Sequence, residues 1–377
     1  LSFLPKGSFL VGGYIRDIIL GRISKDVDVD IVVPSNAIDI GKTISNDFKG
    51  KLIVLDKERE VVRIIFNHIS VDIAKQTGPN ISLDLKSRDF SINAIAFLFD
   101  KRCILDPLNG IKDIEYSLLK TFSKNNLLDD PLRILRCFRF LSELNFDIDT
   151  KLITFIKKYK GQLNLVAKER INYEIQLIIR GSNAQKSILL LKKIDVFDLK
   201  KLYKDSFFIN LEKISYEELN QSEKEKFLPL FFLAQIFDVV SIEKLKFSKS
   251  EILNIKLLRK WQNILNKKDI YQLSEFQRFN LHKELEGIFP SFIFYLPQKL
   301  RLDWLKRWRD KDDKLFHPSN LIKGDLIKKH LNMKDGPLLG NLLNYLSKEL
   351  AYKRLDTFDE AIYKAKQWIE QNAPKCD

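Results

Sequence analysis

At 377 residues and 45% hydrophobic content the chain can bury the cores of about two to four domains, and no apolar run reaches the ~18 residues of a membrane span. Its 64 Lys and Arg against 50 Asp and Glu leave a formal net charge of +14, which favours polyanionic partners, although a Lys-rich chain with solvated helix faces would carry the same surplus. Cys103, Cys137 and Cys376 are too few and scattered for a disulfide framework or a zinc site and fit a reducing cytosol, and His68, His282, His317 and His330 show no metal-ligand spacing and no adjacent His-Asp pair.

The chain opens on "LSFLPKGSFLVGG" without Met, so a short N-terminal piece is expected to precede it, and no signal peptide is read in what remains. "GSFLVGG" reads as a short strand broken by glycines, and "YIRDIILG" as a helix stopping at Gly21. "VDVDIVV" is a strand and "AIDIGKTISNDF" a helix; "KLIVL", "VVRIIF" and "ISVDIA" are strand-sized, and "AIAFLF" leads into the turn "DPLNG". From Asp130 onward the spacing is helical throughout. With no repeat or low-complexity linker, the break near residue 125 predicts a change of architecture on one rigid body, not a flexible hinge.

Three residue groups carry chemistry. Gly12 and Gly13 stand at a strand-to-helix turn, where backbone N–H groups and a helix N-terminus can meet an anion, and Arg16 in the first turn could reach it; an ordinary tight turn would read the same. Asp26, Asp28 and Asp30 alternate with valines, so on one strand all three share a face, with Val27, Val29 and Ile31 on the core side. Such stacking is costly without a cation, and Mg²⁺ takes hard oxygen ligands from one or two carboxylates plus substrate phosphates. Asp72, among apolar neighbours on a second strand, is a candidate third carboxylate.

The ordered stretches "FLVGGYIRDIILG…DVDVDIVV", "LKSRDFSINAIAF", "DPLNG", "DDPLRILRCFRFLSELNF" and "KERINYEI" resemble class II tRNA nucleotidyltransferases and bacterial poly(A) polymerases. "LIKGDLIKKHLNMKDGPLLGNLLNYL" with "FDEAIYKAKQWI" looks like the tail of CCA-adding enzymes, so the resemblance covers nearly the whole chain. It implies an α+β fold: a nucleotidyltransferase α/β head with a mixed sheet over residues 1–125, then an all-α neck (126–185), body (186–300) and tRNA-binding tail (301–377).

The resemblance also implies roles. In many relatives the metal pair stands where Asp26 and Asp28 do. This chain is more similar to forms with a longer turn, whose pair precedes an apolar run and Pro-x-Asn-Ala, as Asp28 and Asp30 precede "IVVPSNA". Asp28 and Asp30 are thus the expected catalytic metal ligands, for two Mg²⁺ ions during catalysis, with Asp26 a strand-leading residue or a partner of the ligands. Gly13 and Arg16 would hold the triphosphate, with Gly12 and Asp17 supporting. Arg88 would contact ribose or phosphates, Asp89 orient its neighbours and Asn93 brace the turn, although helix capping explains the last two equally well. Relatives usually carry a second Arg where Ser87 stands.

On the predicted helix of "DDPLRILRCFRF", Asp130, Arg133, Arg136 and Arg139 recur every third residue. The family uses this Asp and the first Arg as an amino-acid template for the base. A carboxylate accepts from an exocyclic amino group and an Arg donates to ring acceptors, a pairing that suits cytosine and adenine and leaves buried groups unpaired with uracil or guanine, at roughly 1–3 kcal/mol each. Arg136 and Arg139 would face phosphates. Glu169, Arg170 and Glu174 would brace the template through ion pairs, and Trp304 and Trp308 are expected in a core.

The implied activity is metal-dependent addition of C and/or A from CTP and ATP to the tRNA 3′ end, in the cytoplasm, with no DNA or membrane partner and an open oligomeric state. Asp72 and Arg88 are bridged only by "IAKQTGPNISLDLKS", where full CCA-adding relatives commonly have a longer charged loop, so a CC-adding subtype stands as an alternative. Poly(A) polymerase fits the tail less well, and a non-catalytic RNA-binding protein would predict damage to the metal pair or the base template.

Overall fold

The computed structural model describes residues 4–22, 25–197, 209–317 and 324–372. The chain forms two compact units, Leu1–Leu202 and Tyr203–Asp377. The division falls inside the 186–300 segment expected as the helical body.

The first unit begins with β1 (Phe9–Val11), α1 (Gly13–Ile19), β2 (Val27–Val33), α2 (Ala37–Asp47), β3 (Lys51–Asp56), β4 (Val61–Ile65) and β5 (Ile69–Lys75). There follow α3 (Ile81–Ser87), a 3₁₀ turn at Ser91–Asn93, β6 (Ala96–Leu98) and β7 (Cys103–Leu105). These strands make one sheet in the order β3-β4-β5-β2-β1-β6-β7, antiparallel except for the parallel pair β2–β5. The parallel pair sets Asp28 opposite Ser70 and Asp30 opposite Asp72, so these four side chains share a face.

Alternation along β2 separates two environments. Ile31 and Val33 are buried with Val62, Ile64, Ile73 and Ala37 of α2, and Val29 packs against that cluster. On the opposite face Val32 packs with Phe9, Val11 and Leu85, so the face is apolar at one end of the strand and acidic at the other. A core at one end therefore fixes the carboxylates at the other.

The unit continues with α4 (Gly110–Glu115), β8 (Leu118–Leu119), α5 (Lys124–Asp129), α6 (Arg133–Leu144), β9 (Asp147–Ile148), α7 (Thr150–Tyr159), α8 (Lys168–Arg180) and α9 (Ala184–Ile194). Ser123 and Asn126 close a capping box on α5, and Asn145 ends α6 in the left-handed region. Ile134, Leu135, Phe138 and Leu141 of α6 are buried, and the helix packs against α8 and α9.

The second unit is helical: α10 (Gln221–Ile236), α11 (Val239–Lys244), α12 (Lys249–Leu265), α13 (Glu275–Leu285), α14 (Phe289–Phe292), α15 (Gln298–Arg309), α16 (Gly324–Leu331), α17 (Pro337–Ala351) and α18 (Phe358–Asn372). Capping boxes start α10, α12 and α13. Phe231, Phe289, Phe292, Phe316 and Trp304 are buried, and Trp308 donates its indole N–H to Glu286 O. Trp304 thus lies in a core as expected, whereas Trp308 is only partly buried. None of the described helices is long and apolar enough to cross a membrane.

Candidate active site

Gly12 sits between β1 and α1 at φ 80, a left-handed conformation that side chains resist. A Cβ there would stand 2.7 Å from Asp30 Oδ2 and 3.2 Å from an Arg88 Nη1. The glycine therefore lets a backbone turn, a carboxylate and a guanidinium converge. Arg88 is placed by Asp84, whose Oδ2 lies 3.4 Å from Arg88 Nε. Asp84 also accepts from Thr77 N at 3.0 Å, tying down the chain between β5 and α3.

Asp28 accepts the hydroxyl of Ser70. Burial pushes the Asp30 carboxyl above its ordinary range; Arg88 opposes this, and the like charges of Asp72 and Asp28 add to it. Asp72 is held bidentately by Arg63, at 2.7 and 2.8 Å, and so already has its cation. Asp26 was expected on the strand with the other two, but it precedes β2, is 83% exposed in its side chain and pairs with His68 Nδ1 at 3.1 Å. Among the described residues no group of three or more His, Cys, Asp or Glu could hold a metal ion. The oxygen donors nearest the Gly12 turn are Asp30 and, two residues along the same face, Asp28. Their carboxylate oxygens are the hard donors that a divalent cation takes while completing its shell from substrate phosphates, and they share one face of β2 bordering the cavity.

A chain of buried polar contacts runs from this turn into the helices. Arg16 donates to both Asp17 oxygens at 2.9 Å and, through Nη1, to Asn93 Oδ1 at 2.8 Å. Asn93 donates to Asp89 Oδ1 at 3.0 Å, and Arg136 reaches Asp89 Oδ2 at 2.7–2.8 Å. Asp89 is only 6% exposed. Burial alone would raise its pKa, but Arg136, Asn93 and the Phe90 N–H hold it down at about 2. Glu174 of α8, its pKa raised by burial and opposed by Arg139 and Arg136, lies 3.5 Å from Arg139 and 3.9 Å from Arg136.

Asp130 was expected on the arginine helix but lies just before it, in extended conformation at the end of α5. Its Oδ1 accepts from Leu132 N at 3.2 Å and its Oδ2 pairs with Arg170 at 2.9 Å. Arg133 opens α6 and donates through Nη1 to Ser87 O and Asn126 O at 2.8 and 3.0 Å. Two of the main-chain groups that aim it thus come from the Ser87–Asn126 region.

One cavity of about 910 Å³ gathers these residues. Gly12, Gly13, Arg16 and Asp17 line it with the acids Asp26, Asp28 and Asp30; so do Arg88, Asp89 and Asn93, and Asp130, Arg133, Arg136, Arg139 and Arg170. Asp72 and Glu169 are not among its lining residues. Sequence reading passed over Tyr14, Arg22 and Phe140, which are. Phe140 had a legible signal, since it stands one helical turn after Arg136; Tyr14 and Arg22 had none beyond their place beside the glycines.

An acidic strand beside a Gly-Gly turn, facing an arginine-lined helix across one cavity, defines the head of a nucleotidyltransferase. Residues 8–77 and 74–120 match the family described as Poly A polymerase head domain, and residues 145–199 match the probable RNA and SrmB- binding site of polymerase A. A CC-adding tRNA nucleotidyltransferase of Synechocystis sp. is 31% identical over 92% of this chain and 90% of its own length. The fold is similar to a CCA-adding enzyme in complex with CTP (TM-score 0.73, 24% identity, 98% of this chain and 91% of that one). It is also similar to the Thermotoga maritima CCA-adding enzyme complexed with tRNA (TM-score 0.73, 22% identity, 96% and 91%). The chain belongs to the class II tRNA nucleotidyltransferase family and is an enzyme of that kind.

Proposed function

We propose that this enzyme, which adds C and/or A to the tRNA 3′ end, adds the two C residues and stops before the A. The observation that carries this reading is the connection between β5 and α3. It comprises only residues 76–80, with Gln76 N bonded to Val33 O at 2.8 Å, Thr77 N to Asp84, and the Asn80 side chain capping α3 at Leu83 N. A segment so short and so fully bonded leaves no flexible loop to reshape the base site from C to A. The full-length similarity to a CC-adding relative supports the same reading.

In the proposed reaction the tRNA 3′-hydroxyl attacks the α-phosphorus of CTP, an O–P bond forms, the α–β bridge breaks and pyrophosphate leaves. Asp28 and Asp30 would hold Mg²⁺, which when bound supplies charge neutralisation and a lowered hydroxyl pKa. The Gly12–Gly13 turn, Arg88, Arg136 and Arg139 would face the phosphates, with Arg16 bracing the turn through Asp17 and Asn93. Asp130 would accept the cytosine amino group while Arg133 donates to the ring acceptor, Arg170 fixing the carboxylate. Free Cys103 and Cys137 fit the reducing cytoplasm in which tRNA is processed.

The test uses Mg²⁺ and two tRNA transcripts, one ending at the discriminator base and one in CC, each given CTP, ATP or both, with products resolved to single nucleotides. Growth by two on the first transcript, with the CC-ended one untouched by ATP, is expected. Growth by three would overturn the CC-only reading and establish full CCA addition.

A further inference from the structure

Phe140 is 1% exposed, yet its ring borders the cavity. The guanidinium carbons of Arg139, Arg16 and Arg136 stand 4.6, 5.1 and 5.6 Å from the ring centroid, all inside the range in which an aromatic face attracts a cation. Phe90 meets the same ring edge-on, at 5.6 Å and 88°. Three guanidiniums from two helices, α1 and α6, thus surround one phenyl ring.

They are not equally anchored by other groups. Arg16 and Arg136 make charge-assisted hydrogen bonds to Asp17 and Asp89. Arg139 does not: among the described residues its buried Nε has no hydrogen-bond partner, and the nearest carboxylate oxygens, on Glu174 and Glu143, are 3.5 and 3.6 Å away. Both are ion pairs longer than a good hydrogen bond, so the ring face is the contact that orients Arg139 beside them. A carboxylate holds a guanidinium by cancelling its charge, which weakens its pull on a phosphate. An aromatic face orients the cation and leaves the charge in place.

We infer that Phe140 is a positioning residue for nucleotide binding, a neutral post that orients Arg139 and Arg136 toward the triphosphate and seats Arg16 beside the Gly12 turn. This rests on the nucleotidyl-transfer reading above and adds to it a residue that touches no substrate itself.

The test replaces Phe140 by 4-fluoro-, 3,4,5-trifluoro- and pentafluorophenylalanine, which keep the ring's shape and progressively weaken its negative face, and adds Phe140→Leu. Equilibrium binding of CTP and the melting temperature are measured for each full-length protein. CTP affinity should fall stepwise along the fluorinated series, by about tenfold at the pentafluoro end, with the melting temperature held near wild type. Unchanged CTP affinity across the series overturns the inference, even if Phe140→Leu binds poorly, because the ring would then act by packing alone. Extension of tRNA by the unsubstituted enzyme is run alongside. If that enzyme binds CTP and does not extend tRNA, the transfer reading fails while the fluorinated series still decides the role of Phe140; if it does not bind CTP, both fail.

Discussion

Gly12 carries two constraints at once: a positive φ and a missing Cβ that would meet Asp30. Gly12→Ala adds about 1–2 kcal/mol of backbone strain and pushes on the carboxylate proposed to hold the metal, so it should reduce transfer by about 100-fold or more. Comparing single-turnover rates with far-UV melting separates that loss from unfolding. The aspartates invite a ranking. Asp28→Asn and Asp30→Asn should each lower the rate by about 10³-fold, whereas Asp26→Ala, at an exposed pair with His68, should stay within a few-fold of wild type. The reverse order would mean that the proposed metal pair begins two residues earlier, at Asp26.

His282 gives the second unit a pH response. It lies among Phe316, Trp304 and Phe289 with neither ring nitrogen hydrogen-bonded among the described residues, and burial, aided by Arg307 and Arg278 against Asp313, lowers its pKa to about 3. The folded protein thus keeps it neutral while the unfolded chain protonates it near 6.5. Its contribution to stability is complete above about pH 6.5 and is lost as pH falls toward 3, at up to about 1.4 kcal/mol per pH unit. Urea midpoints between pH 7.5 and 4.5 should show this slope, and His282→Leu should flatten it.

At the scale of elements, Asp89 joins the turn after α3 to the arginine helix. It accepts from Asn93, which Arg16 of α1 holds, and from Arg136 of α6, so one carboxylate ties three segments together. Asp89→Ala leaves the half-buried Arg136 without its hydrogen-bonded carboxylate and should cost about 2–3 kcal/mol in chemical denaturation. Asp89→Asn should cost less, since an amide still accepts from Arg136 while losing the charge. Equal losses in both variants would mean that the charge, and not the retained acceptor, carries the whole effect. The strands and helices of this region were legible from periodicity, because each buries a face with the period of its own element. The placement of Asp130 was not. Its three-residue spacing from Arg133 looks helical, yet Pro131 disfavours a helical Asp130, and the residue stays extended before α6 begins.

For the molecule as a whole, the +14 charge supplies a surface suited to tRNA, whose binding should release counterions. The apparent Kd for tRNA should therefore rise linearly on log–log axes between about 50 and 200 mM salt, while CTP affinity in the same buffers changes far less. A salt-independent tRNA Kd would count against phosphate contacts as its main source.

By itself the sequence determined which chemistry was present: the aspartate alternation, the glycine pair, the arginine row and the short span between Asp72 and Arg88 are local patterns, and local patterns are set by strand and helix periods. Only the tertiary structure decided which of these groups act together. The antiparallel pairing of β4 with β5 gives Asp72 to Arg63, while Asp28 and Asp30 of β2 face the cavity. The packing of α6 against the head brings Phe140 among three arginines that lie as far apart in the chain as Arg16 and Arg139. Such partnerships depend on register and packing between segments distant in sequence, and no spacing within one segment can encode them.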